Sequence, residues 1–333
     1  MILVTGATGI LGRVIALELL KQGKEVCATK RPSSNLAEVR QSYRFYTDQP
    51  DFYFDKIRWI DTDFESIESL LEALKGVDEV YHCAAKVSFN PRDDKELFKT
   101  NIEGTKNLLY AIDNTKVKKF LFVSSIAVLD GYNEAGMMDE NSDFNPKLQH
   151  SGYAISKHLS EMEIWRASAE GLNTIIINPG LIIGSGNWGS SSGNLMAKSA
   201  LPVTFPGGTS YVDVRDVAKT AIALMAKNTF GERFIISSEN YKYQKISDQV
   251  RQAEGLRRAR VIAPFFLDLA PIIGTLLGWL VPGLKQLNRS NVEAVKSDSR
   301  ISNKKITDVL GYHFIPVAKS IDFHLKNYLS DRK

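Results

Sequence analysis

The 333-residue sequence predicts an α/β fold: a doubly wound parallel sheet followed by a smaller, mainly helical C-terminal region. Two observations carry this. Short apolar runs alternate with segments of helical periodicity over residues 1–180. A glycine-rich turn joins the first run to the first helical segment. Parallel strands need crossover connections, so the alternation itself selects the architecture.

The elements follow in order. Met1–Thr5 is a strand, and Ile10–Lys21 a helix that ends near Gly23. Glu25–Thr29, Arg58–Asp61, Glu79–Ala84, Lys119–Ser124 and Asn173–Asn178 read as further strands. Helices are predicted over Ser66–Leu74, Asp94–Asn114 and Tyr153–Glu170. The aromatic-rich stretch Gln41–Asp55 reads as an insertion packed on the sheet edge. After Pro179 the rhythm breaks. Gly184–Asn194 has the composition of a loop, and Val212–Ala226 reads as strand then helix. Glu232–Ser237 is a last strand, while Ile246–Gly255, Asn303–Leu310 and Val317–Leu329 are helical.

Composition narrows the possible partners. Hydrophobic residues make up 44% and charged residues 24%, enough for a large core. The formal charge of +4, from 42 basic and 38 acidic residues, is too balanced to argue for nucleic acid. The five histidines show no metal-ligand spacing, so no metal site is expected. Cys27 and Cys83 lie in apolar runs and read as buried thiols. A strand begins at the first residue with no leader ahead of it, which makes the cytoplasm the expected location.

The turn Thr5-Gly6-Ala7-Thr8-Gly9-Ile10-Leu11-Gly12 has the spacing of a dinucleotide-binding loop of the Rossmann type. Gly6 permits the tight turn, Gly9 lets a pyrophosphate approach, and Gly12 lets helix and strand pack closely. Thr8, Ile10 and Leu11 belong to the same loop and helix start, where free N–H groups face the phosphates. The second strand is followed by Lys30 and Arg31 rather than an acidic residue. Cations there suit a 2′-phosphate, so the expected cofactor is NADP(H), with NAD(H) the alternative. Asp63 and Phe64 stand where an adenine edge would lie, and Ala84-Ala85 leave room for the cofactor. The expected division is a dinucleotide-binding unit over residues 1–180, rejoined by 211–238, with 181–210 and 239–333 holding substrate.

Tyr153 and Lys157 are four residues apart and share one face of a helix. A free phenol titrates near ~10, and a nearby ammonium is expected to lower that value. Tyr153 then serves as acid or base at a carbonyl or alcohol oxygen. Ser125 ends the fifth strand and is placed to hold that oxygen, with Ser124 beside it. His82 reads as structural, and His150 as a loop residue near Tyr153.

These motifs, with Asn101-Ile102-Glu103-Gly104-Thr105, Asn178-Pro179-Gly180 and Tyr211–Ala218, resemble the extended short-chain dehydrogenase/reductases, or NAD-dependent epimerase/dehydratase family. The run Ala84–Phe89 is most similar to the dihydroflavonol-reductase and 3β-hydroxysteroid-dehydrogenase branch. The resemblance implies that Ser125, Tyr153 and Lys157 are catalytic. It also implies that Asn101, Pro179 and Ile182 lie near the cofactor. It further implies a homodimer formed through the helices near Asp94–Asn114 and Tyr153–Glu170. Many members carry Arg where this chain has Asn178, so that basic side chain is not carried over.

The apolar run Phe265–Leu284 contains Asp268, Pro271 and Pro282 and reads as two shorter helices forming a lid, rather than a transmembrane span. Arg257, Arg258 and Arg260 ahead of it, with Lys285 and Arg289 after it, leave contact with a membrane surface open. The function expected is an NADP(H)-dependent oxidoreductase interconverting a carbonyl and a secondary alcohol on an apolar small molecule. A nucleotide-sugar epimerase or dehydratase is the alternative, and a non-catalytic NADP(H) sensor a minor one.

Overall fold

The computed structural model describes residues 1–189, 191–277 and 282–332. Among these, seven parallel strands form the main sheet: β1 (Ile2–Thr5), β2 (Val26–Lys30), β3 (Arg58–Asp61), β4 (Glu79–His82), β5 (Lys119–Val123), β6 (Asn173–Pro179) and, much later, β10 (Glu232–Ile236). Their spatial order is β10-β6-β5-β4-β1-β2-β3. The order reverses between β1 and β4, and open α/β sheets bind ligands outside the strand ends at such a reversal.

Helices cover both faces, so the central strands are apolar throughout. On one face α1 (Ile10–Lys21) packs with α9 (Val214–Lys227). The 41–55 stretch takes in the end of α2 (Leu36–Ser42), a short turn of 3-10 helix and α3 (Pro50–Phe54). It packs on α1 and meets the edge strand where Phe54 faces Trp59 at 5.6 Å. The other face is covered by α4 (Ile67–Ala73), α6 (Gly104–Ile112) and α7 (Gly152–Ala169).

The predicted single helix 94–114 is a correction. It is α5 (Asp94–Phe98), then a π-turn over Lys99–Glu103, then α6. The widened turn sits where the Asn101 carbonyl accepts from Thr105 Oγ1 at 2.6 Å and Ser160 Oγ at 2.9 Å. Hydrophobic periodicity carries no trace of such an insertion.

The C-terminal third is more loosely layered. β7 (Leu181–Ile183), β8 (Val203–Thr204), β9 (Gly208–Asp213), β11 (Glu239–Lys242) and β12 (Arg260–Val261) form two small sheets, with α8 (Leu195–Ser199) and α10 (Tyr243–Ala253) between them in sequence. α11 (Pro264–Leu277), α12 (Arg289–Lys296), α13 (Lys304–Leu310) and α14 (Val317–Asp331) complete the chain. Of the two shorter helices expected in the 265–284 run, the first is α11, and Pro271 lies inside it. The rest of the apolar run crosses 278–281, outside the described residues, and resumes as a short 3-10 turn at Pro282–Gln286. Among the described residues no helix is long and apolar enough to cross a membrane.

Candidate active site

The cradle begins where β1 ends. Gly6 has φ +65°, and a side-chain carbon there would lie 2.6 Å from the Ala84 nitrogen. At Gly12 it would lie 2.4 Å from the Gly6 oxygen. Only glycine fits either position. Gly9 caps α1 without a side-chain hydrogen bond, leaving the first-turn amides of Ile10, Leu11 and Gly12 without an internal acceptor. The Ile10 side chain rests against Gly184.

The residue that holds this loop was missed in the sequence. Arg13 is fully buried; its guanidinium donates to the Gly9 carbonyl at 3.1 Å and to the Thr8 carbonyl. Its other donors meet both oxygens of Glu38 at 2.8 and 2.7 Å. The loop's carbonyls are thereby turned onto Arg13. The one available signal was a single cation inside the apolar run Ile10–Leu20.

At the end of β2, Lys30 pairs with Asp61 of β3. Arg31 is exposed, and among the described residues its side chain takes part in no hydrogen bond or ion pair. Arg31 is therefore the cation available to an incoming phosphate. Asp63 is exposed, and its carboxylate accepts from the Glu65 amide at 2.9 Å. Phe64 is half-buried, stacked on His82 at 6.0 Å. His82 bridges Thr5 and Thr105 at 2.7 and 3.0 Å, and burial pushes its pKa down to about 3. It is a neutral structural tie between β1, β4 and α6. Ala84 and Ala85 follow, with the Ala84 amide donating to Thr5 Oγ1 at 3.2 Å. Asn101 is buried and ties the next residue down: its amide group donates to the Lys86 carbonyl at 3.0 Å and accepts the Lys86 N–H at 2.8 Å. It also donates to Ser156 Oγ on α7 at 3.0 Å.

β5 delivers Ser124 and Ser125 to the same rim. Ser125 turns the chain, its hydroxyl accepting the Ala127 amide at 3.1 Å. Tyr153 and Lys157 face inward from α7, whose start is capped by Ser151. The Ser125 hydroxyl lies close enough to the Tyr153 phenol to oppose the effect of burial on it. Phe89 meets the Tyr153 ring edge-on at 5.7 Å. Lys157 is buried, donates to the Val123 carbonyl at 2.7 Å and lies over the Phe122 ring.

The electrostatics differ from the expectation. Burial pushes the Tyr153 pKa up to about 12, with Ser125 alone pulling down. Lys157 does not lower it, because its ammonium is turned onto the Val123 carbonyl. Burial also pulls Lys157 down to about 8, opposed by Cys83 and Glu161. The phenol is thus protonated at neutral pH, in the form of a proton donor.

One turn beyond Lys157, Glu161 is also buried, a residue absent from the sequence reading. Burial raises its pKa, and Ser124, Arg233 and Asn178 oppose this. Asn178 donates to Glu161 at 2.7 Å and to the Ser125 carbonyl at 3.0 Å. A cation reaches Glu161 from β10, where Arg233 lies 3.5 Å away. The spacing Tyr153-Lys157-Glu161, a column at four-residue steps, was the missed signal. Pro179 is buried on β6, and Ile182 is half-buried on β7, which follows directly.

A cavity of about 320 Å³ opens at this rim, lined by Phe89, Pro91, Asp94, His150 and Arg289 among others. α11 does not line it. The N-terminal end of α12 stands there instead. His150 lines it but is held by Phe144 at 4.0 Å and by the Asn145 carbonyl at 2.9 Å.

Strand order, an uncapped helix start behind a glycine turn, and a serine–tyrosine–lysine cluster at the strand ends together define a dinucleotide-dependent enzyme. The chain belongs to the NAD dependent epimerase/dehydratase family, whose model matches residues 2–237. It is 29% identical over 274 residues to sterol demethylase protein B of Methylococcus capsulatus, covering 79% of this chain and 77% of that one. Anthocyanidin reductase of Arabidopsis thaliana is 28% identical over 270 residues, covering 74% and 78%. The crystal structure of gox2253 superposes with a TM-score of 0.82 at 25% identity, covering 99% of this chain and 98% of that one. The protein is therefore an NAD(P)-dependent oxidoreductase of the extended short-chain dehydrogenase/reductase type.

Proposed function

We propose that the chain is an NADP(H)-dependent oxidoreductase that interconverts a carbonyl and a secondary alcohol on an apolar small molecule. The convergence of Ser125, Tyr153 and Lys157 at the C-terminal end of β5 carries the reading. The uncapped start of α1, the Gly6–Gly12 turn and the small Ala84-Ala85 pair fit a pyrophosphate and the ring beyond it. Arg31, with Lys30 released from Asp61, would hold the 2′-phosphate that favours NADP(H) over NAD(H). Asp63, Phe64, Asn101, Ser124, Pro179 and Ile182 complete the cofactor's surroundings, Asn101 by fixing the 84–86 turn. When bound, the nicotinamide supplies the hydride that carbonyl reduction needs. Ser125 donates a hydrogen bond to the carbonyl oxygen. Tyr153 gives that oxygen its phenolic proton as the alcohol forms. Lys157 would bind the nicotinamide ribose hydroxyls and, with its ammonium swung off the Val123 carbonyl toward Tyr153, stabilise the phenolate by its charge. The two relatives reported above are named for a sterol and an anthocyanidin, both multi-ring molecules, which supports a substrate of that kind. Exposed Tyr110, Leu159 and Met162 on α6 and α7 offer a face for a homodimer.

The test is NADPH oxidation against a panel of multi-ring and aromatic ketones, wild type beside Tyr153→Phe. We expect turnover on part of the panel and a loss on the order of a thousandfold in the variant, with NADPH binding retained. Undiminished turnover in Tyr153→Phe would overturn the assignment. NAD held tightly through purification, with nucleotide sugars raising the melting temperature, would favour epimerase chemistry.

A further inference from the structure

α11 buries only one of its faces. Leu267 and Ala270 pack against Val292 of α12, with Ile262 and Leu287 beside them. The opposite face holds Phe265 at 66% exposure, Phe266 at 65% and Ile272 at 55%, with Leu269 and Ile273 also exposed. Its one acidic residue, Asp268, is neutralised by Lys296 at 2.5 Å. Immediately ahead in the chain, Arg257, Arg258 and Arg260 are exposed. Among the described residues none of these three is in an ion pair.

Contiguous exposed apolar surface of this kind marks a contact with something else. The arginines decide with what. A second copy meeting this face about a two-fold axis would bring the same unpaired cations together. Anionic headgroups would neutralise them while the phenylalanines enter the acyl boundary, the arrangement of a helix lying in a membrane interface. α11 also packs on α12, whose first residues, Arg289 and Ser290, line the cavity beside Tyr153. We infer that α11 seats the enzyme on an anionic lipid surface, with the substrate mouth one helix away. The entry of an apolar substrate from that surface rests on the function proposed above; the seating does not.

The full-length protein is sedimented with vesicles of phosphatidylcholine alone and of phosphatidylcholine mixed equally with phosphatidylglycerol. Wild type is expected to sediment with the mixed vesicles and far less with the neutral ones. Phe265→Ser/Phe266→Ser and, separately, Arg257→Gln/Arg258→Gln/Arg260→Gln are each expected to lower the partition on the order of tenfold, with unchanged melting temperatures. Wild type left in the supernatant with mixed vesicles, or variants that sediment as wild type does, would overturn the inference. Light scattering without lipid adds a second check: assembly that is lost in Phe265→Ser/Phe266→Ser would assign the face to another copy and overturn it too. Turnover of a water-soluble ketone without vesicle binding defeats this inference alone. Vesicle binding without turnover of any ketone defeats the proposed reaction alone.

Discussion

The loop over residues 5–12 and the segment around α11 are held in different ways. In the loop, backbone meets backbone: Gly6 against Ala84, Gly12 against Gly6, with Arg13 and Glu38 locked behind. Around α11, side chains pack on one face and meet solvent on the other. A site made by backbone geometry tolerates few residue types, so it leaves a mark in the sequence. A site made by side chains on short elements tolerates many, so cofactor class is readable where substrate identity is not.

Several substitutions sharpen the contrast. Gly12→Ala should abolish cofactor binding and cost about 3 kcal/mol of stability, because the new carbon meets the Gly6 carbonyl, which cannot give way. Urea denaturation and cofactor titration measure both; normal NADPH affinity would mean that the loop adapts and the contrast is false. Arg13→Ala should cost about 2–3 kcal/mol, since it leaves Glu38 without its partner and frees the loop carbonyls. The same denaturation series reads this, and a change within error would show that Arg13 does not hold the cradle. Arg31→Ala is exposed and should leave stability intact. It should weaken NADPH binding about tenfold, equivalent to ~1.4 kcal/mol, with NADH affinity unchanged. Equal losses for both cofactors would contradict the 2′-phosphate role.

A pH dependence follows from the same cluster. Burial holds Lys157 at about 8, below its ordinary value, so its charge is present below that pH and lost as pH rises through it. Tyr153, at about 12, stays protonated over this range. Ketone reduction should therefore decline with a midpoint near pH 8. In a Lys157→Arg variant, whatever activity remains should lack that decline, because guanidinium keeps its charge. A flat profile in wild type would remove Lys157 from the acid–base chemistry.

The sheet was legible because each parallel strand is buried on both faces and each crossover helix carries a 3.6-residue pattern. The Tyr153–Lys157 pair was legible because helical spacing fixes their shared face. Arg13, Glu161 and Arg233 were not. Each acts through a partner distant in sequence: Glu38, Asn178 and Glu161 respectively. The π-turn at Lys99–Glu103 was hidden for a related reason, since its hydrogen bonds come from Thr105 and from Ser160 on another helix.

The central claim is that the Ser125–Tyr153–Lys157 centre moves a hydride between cofactor and substrate for keeps. NADPH deuterated at the nicotinamide C4, with a ketone the enzyme accepts, tests it directly. The account predicts one deuterium on the carbinol carbon of each alcohol formed, with an equal amount of NADP⁺. Isomerised or dehydrated substrate with no net NADPH oxidation would contradict it.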